Sequence, residues 1–158
     1  MDGRLLERDA ELAVLVRAVD DAGEGRSSVV LLLGEAGIGK TSLVRTFASE
    51  VADRARVLVG SCDDLLTPRT FGPLRDATEE HPGPLADALA AGSDQEAVYQ
   101  ALRLELRPRG RPTVLVVEDL HWADDATLGA LRYVCRRLHT LTATVVLTYR
   151  RSDRKSVV

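Results

Sequence analysis

The chain contains no asparagine, only two cysteines and few aromatic residues. The absence of asparagine excludes N-glycosylation, because that modification requires an Asn-x-Ser/Thr acceptor. Cys62 and Cys135 lie far apart in the sequence, and their spacing fits neither a disulfide framework nor a zinc motif. No apolar run approaches the ~18 residues of a membrane span, and Met1 is followed by charged residues, not by an apolar leader. We therefore expect a cytoplasmic protein with no membrane partner.

A strong excess of charge of one sign is also lacking. The 21 basic and 24 acidic residues give a net charge of −3, too mild to indicate a nucleic-acid-binding surface. Residues 130–158 are locally basic, which is typical either of a phosphate contact or of a solvated tail. With 158 residues, of which 45% are hydrophobic, the chain fits one packed domain. We assign residues 1–150 to that domain and residues 151–158 to a basic tail.

Short apolar runs alternate with segments of helical periodicity along the chain. The run 29–33 is continuously apolar, which is typical of a strand buried on both faces of a parallel sheet. Strands alternating with helices predict crossover units and a three-layer α/β/α fold with a mostly parallel sheet. The predicted strands are 29–33, 57–60, 113–118 and 143–149, and the predicted helices are 9–22, 40–53, 72–80, 84–91, 94–107 and 124–138.

A glycine-rich segment between the first strand and the next helix fits the pattern G-x-x-x-x-G-K-S/T at every fixed position. Its glycines let backbone amides approach phosphate closely, and the following helix N-terminus favours an anion. Lys40 would reach the β- and γ-phosphates of a nucleotide, and the Thr41 hydroxyl would bind Mg²⁺. The predicted nucleotide-binding residues of this phosphate loop are Gly34, Glu35, Ala36, Gly37, Ile38, Gly39, Lys40, Thr41 and Ser42.

Two carboxylates, Glu118 and Asp119, follow the apolar strand 113–118 directly. Ligands bind at the carboxyl ends of the strands in open α/β sheets, so these acids would lie beside the phosphate loop. One acid can hold Mg²⁺ and the other can orient an attacking water. The alternative is that one acid only caps the following turn.

The segment Val117–Asp124 resembles the Walker B region of STAND-type AAA-related ATPase domains, which occur in large LuxR-type transcriptional regulators and in origin-recognition-like AAA modules. Three further segments are similar to the family in matching order. Leu6–Leu12 resembles its N-terminal Gly-Arg-Glu segment, Phe71–Leu74 a comparable internal segment, and Thr148–Arg150 its sensor strand end. The resemblance extends over nearly the whole chain.

The resemblance implies ATP and Mg²⁺ as cofactors and adds Arg8 to the nucleotide-binding residues. The family commonly has Asp as the first Walker B acid, where this chain has Glu118. We assign Glu118 to Mg²⁺ together with Thr41, and Asp119 to the attacking water. Arg150 is either a γ-phosphate sensor, and then a third catalytic residue, or one more surface arginine. His121 could bridge to a phosphate or water, or could be a hydrogen-bonded structural histidine.

These features predict an ATP-binding module of a signalling or transcriptional regulator with slow Mg²⁺-dependent hydrolysis. The alternative is a nucleotide-binding switch, or a truncated fragment, with no turnover of its own. A GTPase is disfavoured because guanine selection generally uses an Asn-Lys-x-Asp element, which a chain without asparagine cannot supply. Expected partners are ATP or ADP and downstream effector domains, without direct DNA binding, because no helix-turn-helix follows Arg150.

The strand order expected from right-handed crossovers and the phosphate-loop family pattern is 29–33, 143–149, 113–118, 57–60. The family places a fifth strand and a helical lid after the sensor strand, whereas only eight residues follow Arg150. The strand 29–33 should therefore lie at a sheet edge. An apolar edge with unpaired amides invites pairing with another chain, so we expect self-association, incomplete closure of the site and weak hydrolysis.

Overall fold

The computed structural model describes residues 3–34, 39–65 and 67–150, with side chains from residue 8 onward. Short 3₁₀ turns at Leu120–Trp122 and Leu138–Thr140 flank the last helix. The elements in chain order are α1 (Gly3–Gly23), β1 (Ser28–Gly34), α2 (Lys40–Val51), β2 (Arg56–Ser61), α3 (Gly72–Ala77), α4 (Pro84–Ala90), α5 (Gln95–Glu105), β3 (Thr113–Glu118), α6 (Asp125–Cys135) and β4 (Ala143–Arg150).

The four strands form one parallel sheet in the order β1-β4-β3-β2, which confirms the predicted fold class and strand order. The register pairs Gly34 at the end of β1 with Arg150 at the end of β4. It likewise pairs Ser61 at the end of β2 with Glu118 at the end of β3. All four carboxyl ends thus meet at one edge of the sheet, where ligands bind in folds of this class.

Helices cover the sheet on both sides, so the domain has three layers. Val114 and Val116 of β3 join α1 and α2 in one apolar cluster, while Leu115 and Val117 join α3 to α6 in the other. The alternation arises because successive side chains of a strand point to opposite faces. The helical spacing of α2 is confirmed, since all four residues predicted to face the core are buried: Leu43, Val44, Phe47 and Val51.

The strand β1 occupies the predicted edge, but it is not buried on both faces as its composition suggested. Val30 and Leu32 pack against the cluster formed by α1 and α2. On the other face Val29, Leu31 and Leu33 are 37%, 51% and 53% exposed, because the core there draws on β2, β3 and β4 only. A continuous apolar run therefore indicated a strand correctly, but not the covering of its second face.

Helix α1 is longer than its apolar periodicity predicted, beginning at Gly3 instead of near residue 9. Its predicted inward residues Leu15 and Val19 are buried, and Leu12 and Val16 are partly buried beside them. Charged residues occur throughout the sequence of α1. Across residues 3–34, 39–65 and 67–150, no helix is both long and apolar enough to cross a bilayer.

Candidate functional site

A cavity of about 430 Å³ lies at the carboxyl edge of the sheet. It is bordered by the start of α2, by the turn after β3 and by the end of β4. Five of the lining residues come from the predicted loop, acid and sensor positions. The lining residues are Gly39, Lys40, Thr41, Asp119, His121, Trp122, Thr148 and Arg150.

Gly39 joins the phosphate loop to α2 in a conformation that favours glycine. Its φ of 80° lies in the left-handed region, and its carbonyl accepts the N–H of Leu43, the first backbone bond of α2, at 3.0 Å. The same carbonyl accepts a hydrogen bond from the Arg8 guanidinium. A Cβ at this position would lie 2.8 Å from Arg8 Nη2. Arg8, which the resemblance adds to the nucleotide-binding residues, therefore contacts the backbone at the end of the loop.

Lys40 and Thr41 occupy the first turn of α2, where backbone N–H groups face outward along the helix axis. Lys40 Nζ donates a hydrogen bond to the Gly34 carbonyl at 3.1 Å, which joins the two ends of the loop. Ser42 follows in the same turn and is exposed. The predicted contacts of Glu35, Ala36, Gly37 and Ile38 lie outside the described residues.

Glu118 ends β3 and is only 8% exposed. The Ser61 hydroxyl donates to its Oε2 at 3.4 Å, and its carboxylate also interacts with the Thr41 hydroxyl. Burial raises the pKa of Glu118, and the nearby Asp119 charge adds to this, while the hydroxyl contacts and Arg45 oppose it. The two residues predicted to bind metal, Thr41 and Glu118, therefore interact with each other.

The oxygen donors at this position fit a hard cation. Mg²⁺ prefers oxygen ligands and usually keeps several waters and phosphate oxygens beside one or two protein carboxylates. A buried carboxylate next to the Thr41 hydroxyl matches that requirement. In the described residues no group of three or more His, Cys, Asp or Glu side chains could form an all-protein cage. The donors fit a nucleotide-linked ion, for which Glu118 and Thr41 would be the protein ligands.

Asp119 turns the chain sharply after β3, at φ 58° and ψ 50°. A non-glycine residue in this region is uncommon, although Asp tolerates it better than most, and such residues occur frequently at functional sites. The Asp119 N–H donates to Thr148 Oγ1 at 2.9 Å, and its carbonyl accepts from the Trp122 N–H at 2.9 Å. These bonds hold Asp119 in the wall of the cavity.

Asp124 links the turn after β3 to a distant segment. Its Oδ2 accepts the N–H of Thr127, which caps α6, and the N–H of Phe71 at 2.9 Å. Phe71 has a left-handed φ of 58° and precedes α3. Two segments that resemble the same family in sequence are therefore joined by one carboxylate. Asp124 therefore stabilises the turn after β3 and does not line the cavity.

Arg150 is the exposed last residue of β4, and it borders the cavity. Its backbone N–H donates to His121 Nδ1 at 3.2 Å. The His121 ring lies 4.9 Å from the Trp122 ring and 5.5 Å from the Tyr149 ring. Burial chiefly lowers the pKa of His121, which favours the neutral imidazole.

Sequence reasoning missed Ser61, and it included Thr148 only in the segment that resembles the sensor strand end. Both are polar residues near the carboxyl ends of apolar strands, and this pattern is the available signal. Their partners, Glu118 and Asp119, lie on the neighbouring strand β3 and the turn after it, so their roles depend on strand order. Hydroxyls at these positions hold the two acids in place.

Comparison with known proteins identifies relatives of this arrangement. Residues 4–147 match the family model described as AAA ATPase domain. An uncharacterized protein of Rhizobium meliloti (strain 1021) is 28% identical over 195 residues, covering 96% of this chain and 19% of that protein. The chain thus spans about a fifth of that relative's length.

Solved structures of similar fold include two from animals. A chain in the structure of Drosophila ORC bound to DNA aligns with a TM-score of 0.57 and 18% identity, covering 96% of this chain and 80% of that one. The structure of C. elegans PCH-2 aligns with a TM-score of 0.55 and 10% identity, covering 94% of this chain and 39% of that one. At these identities the likeness concerns the fold.

Proposed function

Because this chain belongs to the AAA ATPase domain family, we propose that it binds ATP with Mg²⁺ in the cavity at the carboxyl edge of its sheet. The observation that carries the proposal is the cavity in which Lys40 and Thr41, from the phosphate motif, lie together with Asp119, from the end of β3. The Thr41 hydroxyl also interacts with the buried Glu118 carboxylate. The two sequence-distant halves of the proposed nucleotide site are therefore close together.

Each residue has a distinct task in the proposed site. Lys40 and the amides at the start of α2 hold the β- and γ-phosphates, because a cation and a helix N-terminus both attract anions. Thr41 and Glu118 hold Mg²⁺, which neutralises phosphate charge when bound. Asp119 orients the attacking water. Arg150 reaches the γ-phosphate from β4, and Arg8 keeps Gly39 in the conformation that the loop needs.

We assign the domain to a longer signalling or transcriptional regulator in which it binds nucleotide and hydrolyses it slowly. The support is the ordered resemblance to such regulators and the Rhizobium relative, in which the matching region is a minor part of the protein. Effector domains are then the partners that read the nucleotide state. The alternative is a binding switch without turnover, and it predicts ATP binding with no phosphate release by the purified chain.

The proposal is tested with Trp122, the single tryptophan of the chain, as the probe. Trp122 lines the cavity, so its fluorescence should change on titration with ATP and Mg²⁺. Lys40→Ala should weaken ATP binding at least about tenfold, because a charge-assisted bond to phosphate is lost. Lys155→Ala removes the only other lysine and is the matched control, expected to bind like the parent.

Turnover is tested separately by phosphate release. Glu118→Gln and Asp119→Asn should keep ATP binding and reduce hydrolysis, since they remove the charges assigned to the ion and the water. Unchanged binding by Lys40→Ala would refute the proposed site. Hydrolysis at the parent rate in both acid variants would refute the assigned roles of Glu118 and Asp119, while leaving the binding proposal standing.

A further inference from the structure

His121 is held in a fixed position at the wall of the cavity. Its Nδ1 accepts the backbone N–H of Arg150 at 3.2 Å, which ties the turn after β3 to the end of β4. Trp122 and Tyr149 pack on the ring, the latter edge-on at 73°. The imidazole is therefore held by one hydrogen bond and two aromatic contacts, and its second nitrogen has a defined position.

The bond to Arg150 also fixes where the proton of His121 lies. A backbone amide can only donate, so Nδ1 must be the unprotonated nitrogen. In the neutral imidazole the proton is then on Nε2. Nε2 is fully covered and has no hydrogen-bond partner within residues 3–34, 39–65 and 67–150. Leaving a buried donor unpaired is costly, so buried donors nearly always have a hydrogen-bond partner. We therefore expect a partner for this N–H.

A ligand bound in the cavity would be that partner. His121 lines it together with Lys40 and Thr41, the residues that would hold the β- and γ-phosphates. Resting on the proposed function, we propose that His121 Nε2–H donates a hydrogen bond to a terminal phosphate oxygen of bound nucleoside triphosphate. His121 is thereby a specificity-determining residue that favours triphosphate over diphosphate. A diphosphate has no γ-phosphate and leaves the donor unpaired.

The competing explanation is that His121 serves only to anchor the end of β4 through Nδ1. The two roles use different ring nitrogens, and two conservative substitutions separate them. In His121→Asn the side-chain oxygen can replace Nδ1 as acceptor for the Arg150 N–H, but the donor at the Nε2 position is lost. In His121→Gln the amide nitrogen can replace the Nε2 donor, whereas the acceptor near Nδ1 is lost.

The experiment measures the affinities of the parent and both variants for Mg²⁺-ATP and Mg²⁺-ADP by isothermal titration calorimetry. Calorimetry is used because Trp122 fluorescence would itself respond to a change at its neighbour. His121→Asn should bind ATP about tenfold more weakly, which is about 1.4 kcal/mol, and should bind ADP like the parent. His121→Gln should keep most of the parent's preference for ATP. Partial unfolding lowers both apparent affinities by the same factor, so the ATP-to-ADP ratio isolates the γ-phosphate contact.

Three results would overturn the inference. They are an unchanged ratio in His121→Asn, an equal loss of both nucleotides, and a loss of the ratio in His121→Gln as large as that in His121→Asn. Each would leave His121 as a structural anchor. Failure of the proposed function itself looks different, because the parent chain would then bind no ATP or Lys40→Ala would bind it normally.

Discussion

Replacing Arg56 by methionine should destabilise the domain strongly without changing the proposed nucleotide site. Arg56 begins β2 and pairs with Glu105, whose side chain is fully buried at the end of α5. Glu105 Oε1 also accepts the N–H of Leu85 in the first turn of α4, at 3.0 Å. One carboxylate therefore holds β2, α4 and α5 together. Arg56 lies at the amino end of its strand, opposite the edge that carries the cavity.

The magnitude follows from the burial of the charge that is left behind. Removing one partner of a buried ion pair costs about 3–5 kcal/mol, because the remaining charge is desolvated and unpaired. Arg109 Nη1 lies 3.4 Å from the same carboxylate on a side chain that is 42% exposed, so some compensation remains. We expect a loss near the lower end, about 3 kcal/mol, or about 6–12 °C in Tm for a domain of this size.

The assay is thermal and urea unfolding of Arg56→Met, followed by circular dichroism. Arg56→Met/Glu105→Gln is the diagnostic variant, since the glutamine oxygen can still accept from Leu85 while the buried charge is gone. It should recover at least half of the loss. Arg26→Met, which breaks an exposed pair with Asp21 and Glu24, is the matched control and should not shift the midpoint measurably. If Arg56→Met costs no more than Arg26→Met, the buried-charge explanation is wrong.

Three further outcomes are expected. Burial raises the pKa of Glu118 above its usual value of 4.5. Protonation of this carboxyl therefore stabilises the folded state below that pH, and the stabilisation is lost as the pH rises. The Tm gain of Glu118→Gln over the parent should therefore grow between about pH 4 and about pH 7, measured without nucleotide or Mg²⁺; a gain that shrinks would contradict this. Gly60→Ala would place a Cβ 1.8 Å from the Pro73 carbonyl oxygen, and should cost about 1–3 kcal/mol in urea unfolding. The parent should self-associate through the exposed apolar face of β1, and sedimentation velocity should show a smaller species for Leu31→Lys/Leu33→Lys; identical profiles would argue against that interface.

The local elements could be predicted from the sequence, and so could the candidate phosphate site, because both depend on short-range patterns. Apolar runs and helical spacing determine which segments are strands and helices. Gly39 and Lys40 lie between the apolar strand β1 and the amphipathic helix α2, and that context made the phosphate motif specific. The pairing of β1 with β4, and of β3 with β4 and β2, followed from crossover handedness and the family pattern together.

Contacts between residues far apart in sequence required the tertiary structure. No local pattern shows that Thr148 would hold the Asp119 backbone, or that the Arg150 N–H would fix the protonated nitrogen of His121, since each pair is 29 residues apart. Nor could an apolar run show that one face of β1 is left uncovered, because covering depends on where helices from elsewhere in the chain pack. Periodicity determines which side chains share a face. Only the packed fold determines what that face meets.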